Sequence, residues 1–133
     1  MPLTQRFRKE ERLCSRHLAA RLFKEGRSFL VYPVKVVYLE VKEEDISRMK
    51  SNLQVMMTVS KKRFKTAVKR NRIKRLLREC WRKNKSGITL QAKERNIHLA
   101  VSLIYIGEGL PDYAFLNSKI ISVVKRLTQE LSA

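Results

Sequence analysis

The chain has 133 residues, with 30 Lys and Arg against 12 Asp and Glu, a formal charge of +18 and a sequence pI near 10.5. Hydrophobic residues make up 44%, which argues against disorder, and the length suits one domain, 1–133, with a real core. No apolar run is long enough to span a bilayer, and the start MPLTQRFRKEER lacks the apolar stretch of a signal peptide; a soluble, cytoplasmic protein with no membrane partner is expected.

Residues 1–12 read as a basic, extended arm in which Leu3 and Phe7 are the only large apolar residues. Ser15 is placed to cap a helix that turns Leu18, Leu22 and Phe23 inward and stops at Gly26. Phe29 to Val41 (FLVYPVKVVYLEV) is β-branched and aromatic. It reads as one strand broken at Pro33, or as a short edge strand followed by a longer one, because proline lacks a ladder donor. Lys42 to Asn52 gathers Glu43, Glu44, Asp45, Ser47, Ser51 and Asn52 and is expected to be a solvated loop. Leu53 to Val59 (LQVMMTV) is the next strand.

Ser60 to Lys83 follows directly, with twelve Lys or Arg between Lys61 and Lys83 against one acid, Glu79. From Thr66 onward it lacks Gly and Pro and is rich in good helix formers. At about 100° per residue, Ile73, Leu76, Leu77 and Cys80 fall on one side. Asn71, Arg72, Lys74, Arg75, Arg78 and Arg82 spread over the other. Arg70/Lys74, Lys74/Arg78 and Arg78/Arg82 are like-charge pairs at i,i+4, which destabilise an isolated helix. The pattern predicts a braced helix whose repulsion is offset by an external anion, and the overall charge points to nucleic acid.

Asn84 to Asn96 reads as a flexible polar connection. Ile97 to Ile106 (IHLAVSLIYI) is the most apolar stretch and predicts a central strand. After Gly107, Gly109 and Pro111, Asp112 is placed to cap a last helix carrying Tyr113, Leu116, Ile120, Val124, Leu127 and Leu131 at helical spacing. The order predicts an α+β sandwich, one sheet with helices packed on it.

No residue pattern supports catalysis by the polypeptide itself: there is no phosphate-binding glycine loop, no nucleophile elbow and no zinc-protease helix. His17 and His98 are far apart and read as structural or surface residues. Glu43, Glu44 and Asp45 could hold a metal loosely, but a solvated loop explains them, so no catalytic and no metal-ligating residue is assigned. Cys14 and Cys80 are too few for a disulfide framework and are read as reduced, Cys80 in the core.

The stretch VSKKRFKTAVKRNRIKRLLRE resembles the signature of the bacterial ribonuclease P protein subunit. The matching residues are Ser60, Lys61, Lys62, Ala67, Val68, Arg70, Asn71, Arg72, Lys74 and Arg75, with Phe23 and Gly26 matching a Phe-x-x-Gly ending of the first helix. The resemblance implies an αβββαβα sandwich with one central sheet and a left-handed βαβ crossover, against the usual hand, a fold also found in a ribosomal-protein domain. It implies a subunit of ribonuclease P, an endonuclease of transfer RNA 5′ maturation. Catalysis would lie in the partner RNA with magnesium bound mainly by that RNA, and no obligate protein partner is expected. The implied contacts to ribonuclease P RNA are Lys61, Lys62, Arg70, Asn71, Arg72, Lys74, Arg75 and Arg78. The implied contacts to the single-stranded leader of precursor transfer RNA are Phe23, Tyr38, Phe7, Arg8 and Lys9. Two features depart from the family pattern: Ala19 stands where a second aromatic is expected, and Arg63-Phe64-Lys65-Thr66 lacks a glycine. Another structured-RNA binder, such as a ribosomal protein, would share the charge but not the ordered Arg-Asn-Arg core. A protein-only nuclease would need a carboxylate or histidine cluster for metal-assisted hydrolysis.

Overall fold

A computed structural model describes residues 6–132 of the chain; the expected arm residues 1–5, Leu3 among them, lie outside the described residues. Helix α1 spans Arg16–Glu25, and the Oγ of Ser15 accepts the Leu18 backbone N–H at 3.2 Å, which satisfies one of its orphan donors. Strand β1 (Arg27–Val31) turns through a cis Tyr32–Pro33 bond into β2 (Val34–Glu40), so the proline separates a short edge strand from a longer one. Helix α2 (Glu43–Ile46) precedes β3 (Leu53–Val59). The basic helix α3 (Ala67–Asn84) starts at Thr66, whose Oγ1 accepts from the Lys69 N–H at 3.4 Å. Then come α4 (Ser86–Glu94), β4 (Leu99–Tyr105) and α5 (Tyr113–Ser132).

The strands form a mixed sheet in the order β1-β2-β4-β3. β1, β2 and β4 are antiparallel neighbours, whereas β3 and β4 run parallel and are joined by the α3–α4 crossover. Central β4 is covered on both faces, which explains why its sequence is apolar without alternation. Leu99, Val101, Leu103 and Tyr105 meet α3, α4 and α5 through Ile73, Leu77, Cys80, Trp81, Ile88, Leu116, Ile120, Val123 and Leu127. The opposite face offers Val37 and Ala100 to Leu18 and Leu22 of α1. Gly26 ends α1 because the chain passes tightly against β2. A Cβ at that position would lie 2.9 Å from the Tyr38 carbonyl oxygen and 3.0 Å from Val37 Cγ1.

Four expectations need correcting. Lys42 to Asn52 is not simply a solvated loop: α2 forms there, and Asp45 is 5% exposed. Its Oδ2 accepts from Arg21 Nη1 at 2.6 Å, its Oδ1 lies 3.0 Å from His17 Nε2, and Arg48 Nε is 3.4 Å away. The Arg21 guanidinium holds the Asp45 carboxyl below the usual carboxylate range, against the opposing effect of burial. The supposed flexible connection, Asn84 to Asn96, is mostly α4, because Ile88, Thr89 and Ala92 are spaced to reach the core. Its stop is Asn96 in the left-handed region (φ 53°), a residue that tolerates this conformation at a helix end. Finally, Phe23 does not turn inward but is 51% exposed. On α5 the buried position next to Val124 is Val123, and Val124 itself is only half-buried.

Candidate nucleic-acid interface

The surface is built from the back of α3. Ile73 and Leu77 are fully buried, joined by Cys80 and by Trp81, which the apolar stripe read from sequence had omitted; Leu76 is half-buried. Burial pushes the Cys80 thiol up to about 11, as expected for a group whose charged form loses its water. With α5 and β3 behind it, α3 has no freedom to roll, so its charged residues keep a fixed direction.

Asn71, Arg72, Arg75 and Arg78 are exposed and Lys74 is half-buried. Among the described residues, Arg72, Lys74, Arg75 and Arg78 take part in no ion pair. The one acid of the helix, Glu79, is held by Arg82 through contacts of 2.5 and 3.1 Å, so it neutralises none of them. Arg70 differs. It is half-buried, and its Nη1 donates to the Phe64 carbonyl at 2.7 Å, so part of its capacity is spent inside the chain. Val68 is 79% exposed beside Asn71, Arg72 and Arg75, an apolar side chain in a cationic setting.

Lys61 and Lys62 are exposed on the loop between β3 and α3. Phe64 anchors that loop without a glycine: it is buried, its ring centroid lies 5.9 Å from that of Tyr105, and its N–H donates to the Ser60 carbonyl. Arg63 Nη1 donates to the Ile106 carbonyl at 2.5 Å and fastens the loop to the end of β4. Lys62, Lys65 and Lys69 surround a depression at the start of α3. The structure thus brings all eight expected RNA-subunit residues onto one helix and its approach.

The five residues expected at the leader are not brought together. Phe23 projects from α1, on the α1 side of the sheet. Tyr38 points to the other side, packs 5.9 Å from Phe29 beneath α5, and has its phenol pKa raised by burial and then by Glu130. Strand alternation decides this: Val37 faces α1, so its neighbour cannot. Phe7 packs against the α3–α5 core as well. Arg8 and Lys9 lie where the chain passes the β3 edge: Leu13 N–H donates to the Val55 carbonyl, and Gln54 Nε2 donates to the Glu10 carbonyl at 2.8 Å. Residues that sequence reasoning missed on the α1 side are Leu30, 55% exposed, and Lys35, its cross-strand partner. Deeper on that side, the hydroxyls of Thr58 and Ser102 are buried with no hydrogen-bond partner among the described residues.

No group of three or more His, Cys, Asp or Glu is arranged to hold a metal among the described residues, and no described helix is long and apolar enough to cross a membrane. The acidic cluster that could have held a cation turns its buried member, Asp45, toward arginines and a histidine.

Fold and surface together define an α+β domain that presents one rigid, uncompensated cationic helix, a class suited to large polyanions. The family model for ribonuclease P matches residues 7–104. The chain is 38% identical over 112 residues to the ribonuclease P protein component of Porphyromonas gingivalis, covering 84% of this chain and 79% of that one. It is 35% identical over 120 residues to that of Chlorobium phaeobacteroides, with 85% and 82% covered. Among solved structures, the ribonuclease P protein of Staphylococcus aureus superposes with a TM-score of 0.67 at 21% identity, covering 88% of this chain and 94% of that one. The Thermotoga maritima protein gives 0.66 at 23%, covering 87% and 96%. The chain belongs to the ribonuclease P protein family, as a protein component of that ribonuclease.

Proposed function

We propose that the chain docks through α3 and its approach loop onto the folded RNA of ribonuclease P. In this reading it also steadies the single-stranded leader of precursor transfer RNA while the RNA removes that leader. The observation that carries the reading is the unpaired cationic row Arg72, Lys74, Arg75 and Arg78 on a helix braced from behind. A guanidinium matches phosphate geometry through paired donors, an ammonium acts as a point charge, and Asn71 supplies a neutral donor and acceptor for a sugar hydroxyl or a base edge. Holding the helix that carries these groups in place avoids the entropic cost of ordering its backbone on binding, and only side-chain freedom is then lost.

Magnesium held mainly by the RNA supplies the hydrolytic chemistry; this chain's residues bind, orient and screen phosphate repulsion. For the leader, exposed Phe23 is the stacking ring. Leu30 and Lys35, on the same side of the sheet, provide an apolar contact and a phosphate partner. Tyr38 is left out because it faces α5.

Reconstitution tests the reading. Purified chain added to a ribonuclease P RNA is expected to restore precursor cleavage at magnesium concentrations where the RNA alone fails, and chain without RNA is expected not to cleave. Because Phe23 is exposed, Phe23→Ala is expected to stay folded and to weaken binding of leader-bearing precursor about five- to hundredfold, the worth of one stacked base. Mature transfer RNA should be little affected. Equal losses for both ligands would remove Phe23 from the leader site, and specific cleavage without RNA would overturn the assignment of chemistry to the RNA.

A further inference from the structure

Residues 6–12 do not lie beside α1. They cross the β3 edge and come to rest against the C-terminal half of α3, held by Lys85 at the α3–α4 junction. Lys85 is 2% exposed, and its Nζ donates to the Arg6 carbonyl and to Glu11 Oε1. The Phe7 ring sits over this latch, its centroid 5.9 Å from Lys85 Nζ, while the Arg12 guanidinium stacks over the same ring at 5.6 Å. Arg12 is therefore pointed by a fixed aromatic surface and not left to wander.

It is pointed at α3. Arg6, Phe7 and Arg12 line one depression of about 310 Å³ together with Arg75, Arg78, Glu79 and Arg82. Five arginines face one carboxylate there, and that carboxylate is already bound by Arg82. Arg12 and the α3 residues Arg75 and Arg78, more than sixty residues apart in sequence, thus line one depression with like charges, an arrangement that costs Coulomb energy at physiological salt. A partly buried ion pair, Lys85 with Glu11, holds them in place.

We propose that Arg12, set on Phe7, forms with Arg75 and Arg78 a composite site for a phosphodiester run. Its occupant is the backbone of the same folded RNA that docks on α3, and not the leader. The proposal rests on α3 facing that RNA. It reassigns Phe7 from leader contact to platform, and it gives buried Lys85 a positioning role that a surface charge could not have.

Arg12→Gln and the pair Arg75→Ala/Arg78→Ala test it, alone and combined, by titration with a ribonuclease P RNA at several salt concentrations. Arg12→Gln is expected to lower affinity and to flatten the log K against log salt slope by about 0.7–0.9, one phosphate contact. The ratio of precursor to mature transfer RNA binding should not change. The combined variant should lose less than the product of the separate losses, because the groups share a ligand. Lys85→Met/Glu11→Leu removes the pair without leaving one charge alone; a folded variant of this kind should reproduce the Arg12→Gln slope although Lys85 is buried and Glu11 carries a charge that RNA phosphates would repel. The proposal is overturned if Arg12→Gln leaves affinity and slope intact, or if it erodes precursor selectivity instead. Should Arg12→Gln act while Arg75→Ala/Arg78→Ala does nothing, the α3 reading itself fails.

Discussion

Arg70 and Arg72 are two residues apart in the Arg-Asn-Arg core, yet they should respond differently to substitution. Arg72 is exposed and has no ion pair among the described residues, whereas Arg70 donates to the Phe64 carbonyl at 2.7 Å. Consider Arg72→Ala with Arg75→Ala. Each lost phosphate contact should lower the salt slope by about 0.7–0.9, so two lower it by about 1.4–1.8. Over a fourfold rise in salt, from about 50 to 200 mM, the affinity deficit of the double variant should therefore shrink by about 7- to 12-fold. Melting should hardly move, since neither side chain packs. Arg70→Ala instead removes a charge-assisted bond that holds the Phe64 loop, worth about 1.5–3 kcal/mol, so its melting temperature should fall and its slope should change less. Filter binding or fluorescence titration against a ribonuclease P RNA, alongside thermal unfolding, separates the cases. If Arg70→Ala flattens the slope as fully as Arg72→Ala with unchanged melting, the internal bond is not what occupies Arg70. If the double variant keeps the full slope, α3 does not face the RNA.

Further outcomes follow from Asp45, Cys80 and Gly26. Asp45 has a depressed carboxyl pKa, so its contribution to stability is present above the ordinary carboxylate value and is lost as pH falls below that value through the lowered one; Asp45→Asn should melt lower at neutral pH and lose less stability than the unsubstituted chain on acidification. Cys80, pushed up to about 11, should resist alkylation in the native state at pH 8 while exposed Cys14 reacts, giving one modified thiol before denaturation and two after. Because an unfolded thiol titrates near 8.5, stability should also decline as pH rises from about 8.5 toward 11; two native equivalents, or a flat alkaline limb, would contradict the burial. Gly26→Ala places a methyl group well inside contact distance of the Leu22 carbonyl oxygen and against the Tyr38 carbonyl and Val37, so backbone must shift, at a cost of about 1–3 kcal/mol or more by denaturant unfolding.

Some of this was legible in the sequence for physical reasons that stay local. A helix period, a serine or threonine before it, and an uncompensated row of cations are properties of twenty neighbouring residues, so α1, α3 and the cationic face were readable without coordinates. The strand after Pro33 and the last helix were readable on the same grounds. Where reading failed, the deciding contact was distant. Asp45 looked like one more solvated acid because its partners, Arg21 and His17, lie on a helix more than twenty residues earlier. Asn84 to Asn96 looked flexible because Ile88 and Ala92 are too sparse to signal a helix until a core stands beside them. Tyr38 and Phe23 looked like partners because the family resemblance implied both at the leader; strand alternation turns Tyr38 to the face away from α1, which carries Phe23.

What the chain's letters determined alone is its charge, its family signature and which helix carries the cations, since covalent order and side-chain spacing fix those before any folding. Only the tertiary structure decided which of those cations remain uncompensated, where residues 6–12 come to rest, and which face each aromatic occupies. These depend on contacts between residues remote in sequence, set by packing both sheet faces at once and by one buried lysine that no local pattern marks.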